Sequence, residues 1–476
     1  MICCRPSRRE LLRFGAIVMG ASVVPVIDSE RAYASAAQPV NLELVTLTET
    51  GAILTWYTGE PGTDDGLGRM KPAPADGEIV YGTHPRRLDR TVPGTAGTPY
   101  HYVELTGLEP GRTYYYQARS RGKTATSTPV AGAAGTPLAG DTFSFTTPQP
   151  PPGRFLFSLA LCNDLHLGET VAGLVGGLPF KGISQAPDRP PYPEIMTKAL
   201  VTDARHRGAR YLLAAGDISS EAAPGDVGRA KALLDGFGGY RTDYFVARGN
   251  HDRAHDGTAY AACGTGQWQG NDCFRDAFFD GRTYFTHDLH GLHIVGLDTY
   301  DKPGGGGDAG GLSNEQMAWF QADLRAHKDQ PTLVFGHHPL LSLDDPFAAS
   351  GGTSLAIGQV LPIMAAYEQA PGVFLHHAGH THRNKRTILP GLPGRIVTQQ
   401  EVGAAKEYPG GFTLLRVHTG GYALNFYKTR GDLAREWSER TRQELNGLWP
   451  QLSFGPAVSD RNSVMARDLS GISSPA

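Results

Sequence analysis

The chain has 476 residues, more than one typical core accommodates, so two domains with tails are the natural expectation. With 40% hydrophobic and 19% charged residues it reads as globular, and a formal net charge of −3 removes the electrostatic case for nucleic-acid capture. Gly, at 61 residues, favours long loops.

At the start, Ser7-Arg8-Arg9-Glu10-Leu11-Leu12-Arg13 precedes an apolar stretch over residues 14–27 and then Ala34-Ser35-Ala36. This arrangement resembles a twin-arginine export signal, with Leu11 where that signal often carries Phe. The apolar stretch is too short to span about 30 Å of hydrocarbon, so a removed signal over residues 1–36 is expected rather than a stable membrane anchor. The resemblance implies delivery of a folded protein to an extracellular, cell-wall or periplasmic location. Cys3 and Cys4 would leave with the signal. Cys263 and Cys273, ten apart in a Gly/Gln/Asn-rich loop, are candidates for a disulfide in that compartment. Cys162, beside the apolar run 155–161, reads as a small buried hydrophobe.

Residues 37–148 show period-two alternation broken by turns, which predicts an antiparallel sandwich. Within it, the segment Leu105-Thr-Gly-Leu108-Glu-Pro110-Gly111-Arg-Thr-Tyr114 resembles the tyrosine-corner region of a fibronectin type III domain. The whole stretch also resembles the N-terminal domain of purple acid phosphatases. It carries no cluster of ionisable residues, so its expected role is structural. The Pro-rich run Gln149-Pro-Pro-Pro-Gly153 then reads as a stiff linker.

Over residues 153–430, apolar runs alternate with helical stretches. Strands are expected at 155–161, 211–215, 244–247, 292–297, 332–335, 373–377, 412–417 and 422–427, and helices at 195–207 and 313–327. Ser313 followed by Gln316 gives the second helix a capping-box start. This is an α/β pattern with a mixed sheet or paired sheets. Residues 431–476 read as a helix from Asp432 through Trp449 and a polar, unstructured tail from Ser459.

At the ends of five apolar runs stand Asp164-Leu-His166, Gly216-Asp217, Gly249-Asn250-His251-Asp252, Gly336-His337-His338 and Gly379-His380-Thr-His382. Side chains just past a strand's carboxyl end project into the crevice where α/β sheets bind ligands. Each motif alone is weak, and His380 and His382, two apart, read equally well as surface histidines. The ordered set resembles the calcineurin-like metallophosphoesterase superfamily. It implies a four-layer α/β/β/α metallophosphoesterase domain preceded by an all-β, fibronectin type III-like sandwich.

Phosphate-ester hydrolysis needs a strong nucleophile at neutral pH and a clamp on the attacking and leaving oxygens, which two metal ions about 3.5–4 Å apart provide. The resemblance assigns Asp217 as the bridge, Asp164, His166 and His382 to one metal, and Asn250, His337 and His380 to the other. The nucleophile would be a bridging hydroxide. His251, left without a metal, becomes the candidate acid for the leaving oxygen, with Asp252 to hold its tautomer. A set of imidazole, carboxylate and amide ligands suits two ions of Fe, Mn, Zn or Co, divalent or trivalent, without choosing among them.

The resemblance also departs in places. Purple acid phosphatases carry a colour-giving tyrosine three residues after the Gly-Asp aspartate, where Ser220 stands here, and they lack a counterpart of His166, which phosphodiesterase-like members share. A small-molecule phosphodiester or phosphomonoester is therefore the expected substrate, with Arg248, Lys181 and Arg189 as candidate cations for the extra monoester charge. The competing readings are a non-catalytic surface-binding protein that retains the fold, and a strict secreted phosphomonoesterase.

Overall fold

The computed structural model describes residues 37–173, 179–302, 307–342, 344–345, 352–392 and 394–475, and the export-signal reading of residues 1–36 lies outside them. In the front segment the alternating runs pair, all antiparallel, into two sheets. One holds Gln38–Leu47, Ala52–Glu60, Lys71–Pro72 and Tyr100–Leu105, and the other is built on Gly77–Gly82, Thr113–Ser120 and Phe143–Thr146. Inward residues such as Leu44, Leu54, Trp56, Ile79 and Tyr116 form one core between the sheets. At the Pro110-Gly111 turn, Glu109 N–H donates to the Tyr114 hydroxyl at 2.9 Å, the reach-back that the local sequence implies.

The second segment contains two six-stranded sheets. The first runs Tyr244–Ala247, Ala209–Ala215, Phe155–Cys162, Gly411–His418, Gly421–Lys428 and Asn462–Ala466. Its first three strands are parallel and the rest antiparallel. The second runs Phe285–Leu289, Leu292–Gly296, Thr332–Phe335, Val373–Ala378, Thr398–Glu401 and Lys385–Ile388, with the middle four parallel.

Period two decides which side chains go where. Ile294, Leu333 and Phe335 turn into the core shared with the first sheet, while Val295, Leu297 and Val334 turn outward against Phe320, Leu324, Ile363 and Tyr367. Those four sit on helices Asn314–Ala326 and Ile357–Gln369. Helices Tyr192–His206 and Pro224–Leu234 contribute Leu200, Ala204, Val227 and Ala230 to the core of the first sheet. The result is the expected α/β/β/α layering.

The C-terminal segment differs from expectation. Its helix ends at Thr441, and Leu445, Asn446 and Gly447 at φ 51°, 57° and 82° turn the chain. Beyond Ser459 the polar chain forms strand Asn462–Ala466 at the sheet edge. The cause is tertiary hydrogen bonding, which periodicity does not register: buried Arg461 donates to Leu44 O at 2.8 Å and Gly455 O at 2.9 Å, with its guanidinium over Phe454.

Residues 37–476 form one compact unit. Glu43, on the first strand of the front sandwich, is buried against Lys428 Nζ, Arg442 Nη1 and the Tyr408 hydroxyl, each at 2.6 Å. Cys263 and Cys273 are joined as a disulfide, and Cys162 is a free, buried thiol.

Candidate metal centre

All five motifs follow the carboxyl ends of parallel strands, and the structure brings all seven proposed ligands together. Asp164, His166 and His382 form one group within ligand distance and Asp217, His337 and His380 a second, as the resemblance implies. Asn250 joins the second group through Oδ1, 3.1 Å from His337 Nε2, while its Nδ2 faces Asp308 at 3.4 Å. Asp217 Oδ2 lies 3.4 Å from His166 Nε2 and 3.1 Å from His337 Nε2, between the groups.

The approach of these loops is tight enough to require glycine. A Cβ on Gly249 would sit 2.1 Å from Asp217 Oδ1, and one on Gly379 2.8 Å from Asp164 Oδ2. The ligands themselves are bent: Asp164, His166, Asp217, His380 and His382 all hold positive φ, from 47° to 69°. Non-glycine residues in this region are uncommon and cluster at functional sites, where the surroundings over-determine them.

The tautomers show what the pocket is built to hold. His337 Nδ1 faces the Ala215 carbonyl at 2.9 Å and must carry its proton there, leaving Nε2 as a bare lone pair. By the same logic His380 Nε2 faces the Gly352 carbonyl at 2.7 Å, which leaves Nδ1 bare, 3.2 Å from His337 Nε2. His382 Nδ1 faces the Glu407 carboxylate at 2.7 Å, so Nε2 is its nitrogen turned to the site, 3.1 Å from Asp164 Oδ1. Imidazole nitrogens and carboxylate oxygens thus converge on one another. Asp164 Oδ1 and both ring nitrogens of His166 are buried without an aligned hydrogen-bond partner. Such a convergence is stable only around positive charge, and the donor set fits first-row metal ions.

Electrostatics agree. Burial alone would push the carboxyls of Asp164 and Asp217 up, but the surrounding imidazoles hold both well below the usual carboxylate range. Reciprocally, and against burial, Asp164 and Glu407 hold His382 up to about 9, so at neutral pH its Nε2 carries a proton that a bound cation would displace. Burial, with His337 beside it, pushes His380 down to about 4.

His251 lies beside the ligands, its ring 4.6 Å from that of His166, with Nδ1 against the Ser220 carbonyl at 2.7 Å. The expectation that Asp252 holds this tautomer is corrected: Ser220 O does so. Asp252 is buried and accepts from Ile218 N, Ser219 N, Ser219 Oγ and Gly249 N at 2.8–3.1 Å. Four donors from two converging turns surround its carboxylate. Asp252 thus fastens the Asp217 turn to the Asn250 turn.

The candidate cations are also redistributed. Arg248 is buried and held by Asp272 at 2.7 Å and Asp298 at 3.1 Å, so its charge is committed inside the protein. Arg383 is likewise held by Glu401 and Asp344. Arg189 pairs with Glu436 at 3.6 Å, and Lys181 is exposed. Among the unmatched histidines, His338 bonds Thr299 and the Asp308 carbonyl, His376 bonds Tyr367, His377 reaches the Cys162 carbonyl, and His287 packs on Phe245.

Sequence reasoning missed Glu169, Lys406 and Glu407, which stand behind His166 and His382. A further cluster, His293, Asp323 and His327, lies at the amino-terminal end of strand Leu292–Gly296. Its two imidazoles stack at 4.2 Å and 22°, and both face the Asp323 carboxylate, His293 Nε2 at 2.8 Å and His327 Nδ1 at 3.4 Å.

With this geometry in hand, comparison with known proteins is direct. Residues 37–147 match the model of the purple acid phosphatase N-terminal domain, and residues 157–384 that of the calcineurin-like phosphoesterases. A probable glycerophosphodiester phosphodiesterase of Arcobacter nitrofigilis is 29% identical over 97 residues, 20% of this chain and 33% of that protein. The uncharacterized protein YvnB of Bacillus subtilis is 26% identical over 240 residues, 46% of this chain and 16% of its own length. The chain thus spans a third or less of the curated relatives it matches. Among solved structures, a purple acid phosphatase from yellow lupin seeds is 16% identical, covering 83% of this chain and 73% of its own, with a TM-score of 0.40. A dimetal phosphatase from Danio rerio is also 16% identical, covering 57% of this chain and 96% of its own, with a TM-score of 0.39. Residues 157–384 are thus a calcineurin-like phosphoesterase domain, preceded at residues 37–147 by a domain of the purple acid phosphatase N-terminal type.

Proposed function

We propose that this chain is an exported, dinuclear metal-dependent phosphoesterase that hydrolyses small phosphodiesters. The observation that carries the enzymatic reading is the convergence of imidazole nitrogens on Asp164 and Asp217. When bound, two metal ions supply a nucleophilic oxygen at neutral pH and the charge to clamp a phosphate. Asp217 is placed to be shared between the two groups, and the remaining ligands divide as above. His251, anchored through Nδ1 to Ser220 O, keeps Nε2 as the nitrogen that holds or passes a proton at the leaving oxygen. Asp252 acts at a distance by fixing both turns.

Two features support a diester over a monoester. Arg248, which adjoins the Gly249-Asn250 motif, is buried and paired, so it is not free to meet a second phosphate charge. The Arcobacter nitrofigilis relative also carries a diesterase name. Export is supported by the twin-arginine-like start and by the Cys263–Cys273 disulfide, a bond that persists in oxidising compartments.

Bis-(4-nitrophenyl) phosphate and 4-nitrophenyl phosphate, assayed at equal metal loading, test the substrate class. Comparable rates are expected, and a monoester preference above about 100-fold overturns the diesterase reading, at roughly 1.4 kcal/mol of discrimination per factor of ten. Failure of the purified protein to bind metal after reconstitution would instead favour a binding protein that only retains the fold.

A further inference from the structure

We propose that Lys406 is the positioning residue of one metal subsite, fixing His166 and His382 through two intermediary carboxylates while leaving the other subsite to different supports. This rests on the dinuclear reading above. Lys406 lies outside all five motifs, and its side chain is 5% exposed. Its ammonium sits 2.6 and 2.7 Å from the two carboxylate oxygens of Glu169, and 3.4 Å from Glu407 Oε2. Glu169 Oε2 lies 3.1 Å from His166 Nδ1, an ion-pair contact without hydrogen-bond alignment, and Glu407 Oε1 is hydrogen-bonded to His382 Nδ1 at 2.7 Å. The backbone N–H of the same lysine donates to Asp164 O at 3.2 Å. One residue therefore underlies all three members of the Asp164, His166 and His382 group.

The second group is held differently. His337 and His380 are oriented by the carbonyls of Ala215 and Gly352, and Asn250 by Asp308, with no contact to Lys406 among these supports. The asymmetry is physical as well as geometric. A backbone carbonyl is a neutral acceptor already fixed by the fold. Two carboxylates buried side by side repel each other and stay in place only with a cation between them. Lys406 is in turn anchored from outside the site: the Trp437 indole donates to its carbonyl at 2.7 Å, and the Tyr192 hydroxyl donates to Glu169 Oε1 at 2.5 Å. Residues that orient metal-bound imidazoles typically change metal affinity 10–100-fold when removed, which sets the expected size of the effect.

The test is equilibrium dialysis of the full chain against Mn²⁺ or Zn²⁺ with elemental analysis. Wild type is expected to hold two ions. Lys406→Met should weaken one of them about 10–100-fold and leave the other unchanged. In a His380→Ala background, which impairs the opposite subsite, Lys406→Met should remove the remaining tight ion. Lys406→Arg should recover most of the affinity, because it keeps the charge. Two ions held with wild-type affinity by Lys406→Met, or both weakened alike, overturn the proposal. If circular dichroism shows that Lys406→Met does not fold, Glu169→Gln decides instead: the same selective weakening supports the role of Lys406, and unchanged affinity refutes it. Fewer than two ions in the wild type would sink the dinuclear reading itself, a result separable from failure of the lysine variants alone.

Discussion

Glu43→Gln is the sharpest probe of how the front sandwich is joined to the catalytic segment. The carboxylate is 1% exposed and accepts from Lys428, Arg442 and Tyr408. Burial pushes this carboxyl up, but Arg442 and Lys428 pull it down further, from 4.5 to about 2. A depression of that size corresponds to about 3 kcal/mol of stability. Breaking a buried ion pair by removing one partner costs about 3–5 kcal/mol, because the other charges stay behind unpaired. The two routes agree. If residues 37–476 melt as one unit, an unfolding entropy near 2.1 cal/mol/K per residue makes 1 kcal/mol worth about 1 °C, so the midpoint should fall by roughly 3–5 °C. If the sandwich melted alone, the same loss would lower its transition by more than about 12 °C. Scanning calorimetry distinguishes these outcomes. The pH dependence has a fixed sign. A depressed carboxyl contributes its full stability above the unfolded value of 4.5 and loses it as pH falls through about 2, so the gap between wild type and variant should close over that window. A variant that melts within 1 °C of wild type at neutral pH, or a gap that widens on acidification, would refute this account of the joint.

Two other substitutions separate neighbours in a single motif. Asn250→Ala should lower occupancy of one metal, whereas His251→Ala should keep both and slow turnover by roughly 10²–10⁴-fold, with the smallest effect on a substrate whose leaving group is already a good anion. Metal loss from the His251 variant, measured by elemental analysis, would contradict its assignment. Asp252→Ala strands four backbone and hydroxyl donors, so it should cost about 3 kcal/mol or more in chemical denaturation and weaken both metals together, since Asp217 and Asn250 share that anchor. Selective loss of one metal there would contradict the anchor role.

How much of this was legible in the sequence depends on what holds each part. Strands Tyr244–Ala247 and Thr332–Phe335 fall where apolar runs place them, because apolar burial leaves a local pattern. Strand Thr398–Glu401 left none. It is buried and polar, held by Gln399 to Leu340 and Leu341, by Gln400 to the Asp460 carbonyl, and by Glu401 to Arg383. The capping box at Ser313 is half right: its hydroxyl accepts from Gln316 N, but the Gln316 side chain goes to Asp298 and Asp301 instead of reaching back. Ligands were legible because Asp, Asn and His stand at strand ends in an ordered set. Their supports were not, because Glu169 and Lys406 meet across 237 residues and no local pattern encodes that. Arg248 misled for the converse reason: it is adjacent to the motif along the chain but turned towards Asp272 and Asp298.

The same long separations bear on the order of events in a newly made chain. His380 N–H meets Asp164 across 216 residues, and Arg442 meets Glu43 across 399. Loops of that length close late, and nothing rewards their closure until the distant partner has been synthesised. A fragment ending before residue 380 holds parts of both ligand groups and completes neither. Metal uptake therefore belongs to the last stage of assembly and stabilises only a chain that has already brought its two ends together. For this protein, metal content measures the fraction of molecules that finished folding as well as the quality of the ligands.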